Sequence, residues 1–385
     1  MENRRPITLF FATSGHSGVD RIVANLVAEF ADLPLHFDLV TIRGHGPYLD
    51  TLPANVRPVP LAAAHRNTVL PSLVRYLRRE RPRALFTASH RLNRAALLAR
   101  ALARVDPPVA IRMGMTLSGQ AESLKPRRAR ALFRSMRFWY PRADAVIAPS
   151  PGVGEDLITL AGVARERLHV IPNPVVTPAL FEQAAAPLDH PWFPEPDGAG
   201  GGANGAPPVI LAAGSLEPRK DFATLIRAFA RLRAERPARL VILGEGRERP
   251  RLEALAAELG IVADVDLPGF ESNPYRYMAR AAVFALTSLR EGSGAVLVEA
   301  LACGTPCVAT DCPTGPATIL RDGAVGPLVA VGDDAGLARA LAELLDRPPS
   351  PAVLRAATEP FSAATSAHAY LDALGLALTA STEPG

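Results

Sequence analysis

Several things this 385-residue chain has little of narrow its function before any motif is considered. It has three cysteines, Cys303, Cys307 and Cys312, and their spacing fits no zinc-ligand pattern. Buried free thiols are the expected state. No apolar run approaches the roughly 20 residues that cross a bilayer. At the N-terminus Arg4-Arg5 precede only Ile7–Phe11 before Ser14-Gly15-His16. That is too short for a signal peptide and reads as a first buried strand, so a cytoplasmic protein is expected, peripheral at most on the inner face of the plasma membrane. Lysine is almost missing: Lys125 and Lys220 stand alone among 42 basic residues, a bias we assign to genome composition. A single Asp-x-Asp string, Asp264-Val265-Asp266, falls at a strand edge and reads as a turn plus strand start, not a metal site.

What is present describes a soluble globular chain, with 48% hydrophobic and 21% charged residues. The length suits two domains, each able to bury its own core. The net charge of +4 conceals an uneven distribution. Residues 1–175 carry 25 Arg+Lys against 13 Asp+Glu, a net +12, whereas residues 176–385 carry 17 against 25, a net −8. A basic half joined to an acidic half suggests that one half meets an anionic surface or substrate.

Strands are predicted at Ile7–Ala12, Phe37–Ile42, Ala84–Thr87, Val109–Arg112, Ala145–Ala148 and His169–Ile171. Helical periodicity falls between several of them, at Asp20–Phe30, Leu70–Arg79 and Arg94–Ala103. After Ile171-Pro172-Asn173-Pro174, residues 176–208 contain a Pro/Gly-rich stretch and are expected to be a linker or loop. The alternation restarts with strands at Val209–Ala213, Arg239–Leu243, Val265–Leu267, Val283–Leu286, Cys307–Thr310 and Gly326–Val329. Residues 361–385 read as a tail with one amphipathic helix, expected to pack back on the first domain. Buried, non-alternating strands with helices between them indicate open parallel α/β sheets. The fold class is therefore α/β, with two doubly wound, Rossmann-like domains over 1–175 and 209–360.

The chemistry concentrates in the stretch 287–320. Its loop, Arg290-Glu291-Gly292-Ser293-Gly294, opens onto an apolar helix that starts at Ala295-Val296. A small-residue loop ahead of a helix offers backbone N–H groups and the positive end of the dipole to a phosphate. Glu299 lies inside that helix, seven residues beyond Glu291. A charged residue in an apolar helix needs a partner, and a ribose diol offers two donors; a helix-start carboxylate with a capping acid is the plainer alternative. Other loops follow strands in the same way. They are Gly15–Gly18 in the first half, and Gly214-Ser215 with Arg219-Lys220, Gly244-Glu245-Gly246 and Pro268-Gly269-Phe270 in the second. Arg219 and Lys220 suit a diphosphate leaving group, and a planar base can lie against the Phe270 side. Open α/β sheets bind ligands at the carboxyl ends of their strands, so the convergence outweighs any one loop.

On these residues the chain resembles glycosyltransferase family 4, retaining sugar transferases whose two Rossmann-like domains face a central cleft (GT-B). The resemblance is most specific in the Glu-x7-Glu stretch and its CGTPCVATDCPTGPATIL continuation, which looks like members that assemble bacterial cell-surface glycans. It implies that Glu299 holds the ribose hydroxyls and that Arg219 and Lys220 bind the donor diphosphate. Backbone groups at Gly18, Gly214, Gly244 and Ser293–Val296 would assist, with Glu291 at the transferred sugar. A nucleotide sugar is then the substrate, UDP-linked by preference and GDP-linked as the alternative. No cofactor and no metal are expected. Ser215 stands where many relatives have Arg, and Arg112 where many have His. A guanidinium cannot act as a base, so His90, with Ser89 and Asn93, becomes an alternative acceptor contact.

One basic cluster remains, Lys125 to Arg142, with Arg127, Arg128, Arg130 and Arg134 interleaved with aromatics. Such a helix suits an anionic membrane surface or a lipid-linked acceptor, or else is one solvated face above one core face. No nucleic-acid-binding module accompanies it. The expected activity is a retaining, metal-independent glycosyl transfer from a nucleotide sugar to a glycan or lipid-linked acceptor. A nucleotide-sugar 2-epimerase on the same fold and a non-catalytic membrane-associated scaffold are the other readings.

Overall fold

The structure, a computed structural model, describes residues 5–11, 18–42, 52–63, 68–122, 124–193 and 206–376. The chain divides into two compact units. The first runs to Val175 and takes back the segment from Phe361; the second is Val176–Pro360.

Among the described residues the first unit holds seven strands: β1 (Ile7–Phe11), β2 (Phe37–Thr41), β3 (Val56–Pro60), β4 (Ala84–Ala88), β5 (Val109–Arg112), β6 (Ala145–Ala148) and β7 (Leu168–Val170). Their order in the sheet is β3-β2-β1-β4-β5-β6-β7, with every pairing parallel. Fully buried runs such as ITLFF and ALFTA form β1 and β4 because helices cover both faces of the sheet. On one face, Leu73 and Leu77, then Leu92 and Ala96, then Met136 and Leu157 pack over Leu85, Ile111 and Val146. On the other, the helix Gly18–Glu29 and the tail helix Ala363–Asp372 cover Leu9, Leu39, Phe86 and Ile147.

Strand β3 is missing from the sequence prediction. Its sequence, VRPVP, carries two prolines and an arginine, and only Val56 is buried. It forms because it is an edge strand, where a residue without an N–H leaves no ladder partner unsatisfied.

The second unit has β8 (Val209–Ala213), β9 (Arg239–Leu243), β10 (Val265–Gly269), β11 (Val283–Leu286), β12 (Cys307–Thr310) and β13 (Leu328–Val329). The order is β10-β9-β8-β11-β12-β13, again all parallel. Chain direction across the sheet reverses between β8 and β11, so the loops leaving these two strands emerge side by side.

Residues 176–208, expected to be a linker or loop, need correction in their first part. Thr177 caps a helix, Pro178–Ala184, and Leu180, Leu188 and Phe193 are buried. Asn273 donates to the Gln183 carbonyl and Arg276 to that of Pro187. His190 joins Asp266 at 3.0 Å and packs edge-on to Phe193 and Tyr277. The segment is stapled to the second unit by apolar anchors that its proline content hid. Residues 194–205 lie outside the described residues.

The tail helix is fixed to the first unit by Tyr370, which is 2% exposed and meets Phe86 at a 6.1 Å ring separation. Ser366 donates to the Pro172 carbonyl at 2.9 Å. Tyr370→Ala should therefore destabilise the first unit by about 3 kcal/mol through lost burial and the cavity left behind. Urea unfolding monitored by circular dichroism checks this; a loss under about 1 kcal/mol would mean the tail helix carries no part of the core.

Candidate functional site

Loops from four adjacent strands of the second sheet meet at its carboxyl edge, and glycine lets them approach. Gly214 N donates to the Leu243 carbonyl at 2.9 Å and Gly244 N to the Gly269 carbonyl at 2.7 Å. Any Cβ at Gly244, whose φ is 135°, would run into the Gly214 carbonyl oxygen. Past β8 the chain makes a short 3-10 turn, Pro218–Lys220, before the helix Phe222–Glu235. That turn is tied to the loop after β11 by two bonds. Leu289 N donates to the Arg219 carbonyl at 2.8 Å, and Thr287 Oγ1 to the Lys220 carbonyl at 2.9 Å.

These ties bring Lys220 onto Glu291. The Lys220 ammonium is 2.5 Å from Glu291 Oε1, with the two side chains 7% and 9% exposed. Arg219 Nη1 stands 4.0 Å from the same oxygen, and Ser288 Oγ donates to it at 2.6 Å. Burial pushes the Glu291 carboxyl up, but Lys220, the Ser288 hydroxyl and Arg219 together hold it below the ordinary 4.5. Gly214 makes room for the lysine, since a Cβ there would stand 3.1 Å from Lys220 Cε. Ser215 Oγ accepts from Arg219 Nη2 at 3.4 Å, so the serine and the arginine share one patch.

Beyond Glu291 the loop turns at Gly294, with φ 63°, into the helix Ala295–Ala302. Leu297 N takes the Gly294 carbonyl at 2.9 Å, and the half-exposed Ala295 and Val296 open the first turn, whose N–H groups have no carbonyl one turn earlier. The following loop presses on this one: a Cβ at Gly315 would come within 3.2 Å of the Ser293 carbonyl carbon. Glu299 is 6% exposed on the helix. Phe270, directly after β10, presents a 57% exposed ring.

Sequence reasoning missed Ser288, Thr310 and Thr314. Thr310 Oγ1 donates to the Ser288 carbonyl at 2.7 Å, and Thr314 Oγ1 donates to the Glu291 carbonyl from a left-handed backbone at φ 65°. Hydroxyl residues clustered just past strand ends were the available signal. The Asp-x-Asp string is taken up by an ion pair of Asp264 with Arg233 at 2.8 Å and a hydrogen bond between Asp266 and His190.

In the first unit Gly18 opens the helix Gly18–Glu29, and residues 12–17 of its loop lie outside the described residues. Ser89, with φ 78°, leads from β4 into the helix His90–Ala103 at the point where strand order reverses between β1 and β4. His90 Nδ1 lies 3.3 Å from the Tyr140 hydroxyl. Burial, with Arg94 and Arg91 nearby, pulls its pKa down to about 4. His90 is thus neutral at pH 7 and a weak base, suited to hydrogen bonding more than to proton abstraction.

Arg112, which stands where many relatives have His, is buried and so is no membrane contact. It is 3% exposed, and Nη2 donates to Asn173 Oδ1 at 2.5 Å. The even-numbered positions of β5 face the side covered by the tail helix, as Ala110 does, and this carries Arg112 inward. Arg127, Arg128, Arg130 and Arg134 are all exposed on the helix Pro126–Trp139, while Met136 is buried and Leu132 and Phe133 pack on the core. Among the described residues none of these four arginines is in an ion pair. Phe138 is 53% exposed beneath the Arg142 guanidinium at 3.9 Å.

Comparison with known proteins follows the same division of the chain. Residues 16–177 match the family model described as Glycosyltransferase Family 4, and residues 197–359 match Glycosyl transferases group 1. A Campylobacter jejuni protein named N-acetylgalactosamine-N,N'-diacetylbacillosaminyl-diphospho-undecaprenol 4-alpha-N-acetylgalactosaminyltransferase is 33% identical over 207 residues, 54% of this chain and 52% of its own length. LpsE of Rhizobium meliloti, a lipopolysaccharide core biosynthesis glycosyltransferase, is 33% identical over 54% of this chain and 55% of its own length. The chain thus spans about half the length of the curated relatives it matches. Among solved structures, Anabaena HepE in complex with UDP and glucose superposes with a TM-score of 0.74 at 19% identity, covering 96% of this chain and 99% of that one. The apo lipopolysaccharide outer core galactosyltransferase WaaB gives 0.72 at 19% identity, with the same coverage.

The Glu291 geometry fixes a pH dependence. Its folded pKa lies below 4.5, so the unfolded chain takes up the proton first as pH falls. The contribution is complete above that value and is lost as pH drops through the folded pKa. Urea unfolding of wild type and Glu291→Gln should show a stability gap that is constant above about pH 5 and narrows below about pH 4.5. A gap independent of pH would contradict the pairing.

Proposed function

Because the chain belongs to glycosyltransferase family 4, as its two family matches show, we propose that it transfers a sugar, with retention and without a metal, from a UDP-linked donor to a glycan or lipid-linked acceptor in cell-surface polysaccharide synthesis. The observation that carries the reading is the convergence at one sheet edge of Lys220, Arg219, Glu291 and the N-terminus of the helix Ala295–Ala302. Two cations and a helix dipole offset a diphosphate's charge as it departs, which is the part a metal plays elsewhere. UDP is favoured over GDP by the solved HepE complex, and the acceptor class by the names of the Campylobacter and Rhizobium relatives.

In this mechanism Glu299 accepts from the ribose hydroxyls and the exposed Phe270 ring lies beside the base. As the glycosidic bond breaks, its electron pair goes to the diphosphate oxygen held by Lys220 and Arg219. Glu291 then stabilises the positive charge on the sugar ring. The acceptor hydroxyl attacks from the face the diphosphate leaves, and its proton passes to that leaving oxygen. A front-face route needs no protein base, in keeping with the low pKa of His90. Glu299→Ala should weaken UDP binding about 10- to 100-fold, the loss expected for charge-assisted bonds. Calorimetric titration with UDP, GDP and ADP tests this, and unchanged UDP affinity in the variant would remove the main support.

The exposed arginines of the helix Pro126–Trp139 suit an anionic leaflet on which a lipid-linked acceptor resides. Each arginine near such a surface contributes roughly 1 kcal/mol. Wild type should co-sediment with anionic vesicles at low salt and release near 1 M, where the Debye length falls to about 3 Å. A protein with Arg127, Arg128, Arg130 and Arg134 all changed to Gln should stay in solution. Equal sedimentation of the two proteins would leave this helix an ordinary solvated one.

A further inference from the structure

The two cationic side chains assigned above to the donor diphosphate converge on an anion that the chain itself supplies. Glu291 Oε1 takes the Lys220 ammonium at 2.5 Å and lies 4.0 Å from Arg219 Nη1. To an ammonium, a carboxylate oxygen and a phosphate oxygen are equivalent acceptors. The lysine has little freedom to serve both independently, because it is 7% exposed and its stem runs against the Gly214 backbone. A diphosphate brought to Lys220 would also set its negative charge a few ångströms from the Glu291 carboxylate, and like charges at that range repel strongly in a poorly solvated site.

The carboxylate has a way to leave. Thr314 Oγ1 holds the Glu291 carbonyl, and Thr310 Oγ1 holds that of Ser288, so these two bonds pin the backbone of the loop and neither holds the Glu291 carboxylate itself. Ser288 Oγ remains as a partner for the carboxylate when the lysine is withdrawn. We propose that Glu291 is an internal anion that occupies Lys220 until a nucleoside diphosphate displaces it, and that the displaced carboxylate then turns to the transferred sugar. This rests on the donor-site reading above and adds an order of events: the sugar contact forms only after the diphosphate has taken the lysine. It also lowers the apparent affinity for the nucleotide, by the fraction of molecules in which Lys220 is available.

The consequence is opposite to that of removing an ordinary binding residue: taking away the carboxylate should tighten UDP binding. Calorimetry with UDP on wild type, Glu291→Gln, Lys220→Met and the double variant forms a cycle. The Glu291→Gln protein should bind UDP about three- to tenfold more tightly than wild type, and most of that gain should be lost on the Lys220→Met background. Glu291→Asp keeps the charge on a shorter arm and should fall between wild type and Glu291→Gln, which covers the case in which the neutral variant fails to fold. If wild type binds UDP and the carboxylate variants bind no tighter, or if the gain is undiminished without Lys220, the exchange is overturned and the donor reading stands. No heat from wild type with UDP, GDP or ADP overturns the donor reading itself.

Discussion

The carboxyl edge of the second sheet depends on one contact, the Lys220 ammonium against the Glu291 carboxylate. Either charge alone, buried to this degree, would cost several kcal/mol. Together, with Ser288 on the shared oxygen, they let two polar loops pack at the end of an apolar sheet. Parallel pairing places the contact: β8 and β11 are neighbours, so loops about 70 residues apart in the chain emerge together. The bonds from Thr287 and Leu289 to the turn after β8 then set the lysine at contact distance.

Glycine supplies the rest of that edge by its lack of a side chain. At Gly244 the neighbouring Gly214 carbonyl occupies the space a Cβ would fill, so the loops after β8, β9 and β10 close into one surface. At Gly294 a left-handed turn starts the helix Ala295–Ala302 in the same loop as Glu291, so the positive end of its dipole belongs to this edge. Fixed dipoles and charges of this kind need little rearrangement when charge develops on a leaving group, which is why such an edge suits transfer chemistry.

The first unit divides its charge by depth. Arg112 is drawn inward beneath the tail helix, and Asn173 accepts from its guanidinium. The arginines of the helix Pro126–Trp139 stay outside, because Leu132, Phe133 and Met136 take its inner face. Part of the excess of base over acid therefore appears on the surface of this helix, and the tail segment that completes the opposite face of the sheet comes from the far end of the chain.

The sequence by itself determined the parallel α/β class and nearly every strand, and it marked the loops to which the proposed chemistry is assigned. Buried parallel strands read as continuous apolar runs, and small-residue loops after them mark where backbone can meet a ligand. It also singled out Lys220, Arg219, Glu291 and Glu299, since charges beside apolar segments stand out. Edge strand β3 escaped because its prolines and exposure erase the apolar signal, and the folded part of 176–193 escaped because prolines masked its buried anchors. What only the tertiary structure decided is which side chains meet. That Lys220 faces Glu291, that Ser288 shares the oxygen and that Arg112 lies inside all follow from strand order and face. Strand order and face are set by long-range packing, which local patterns in a chain do not encode.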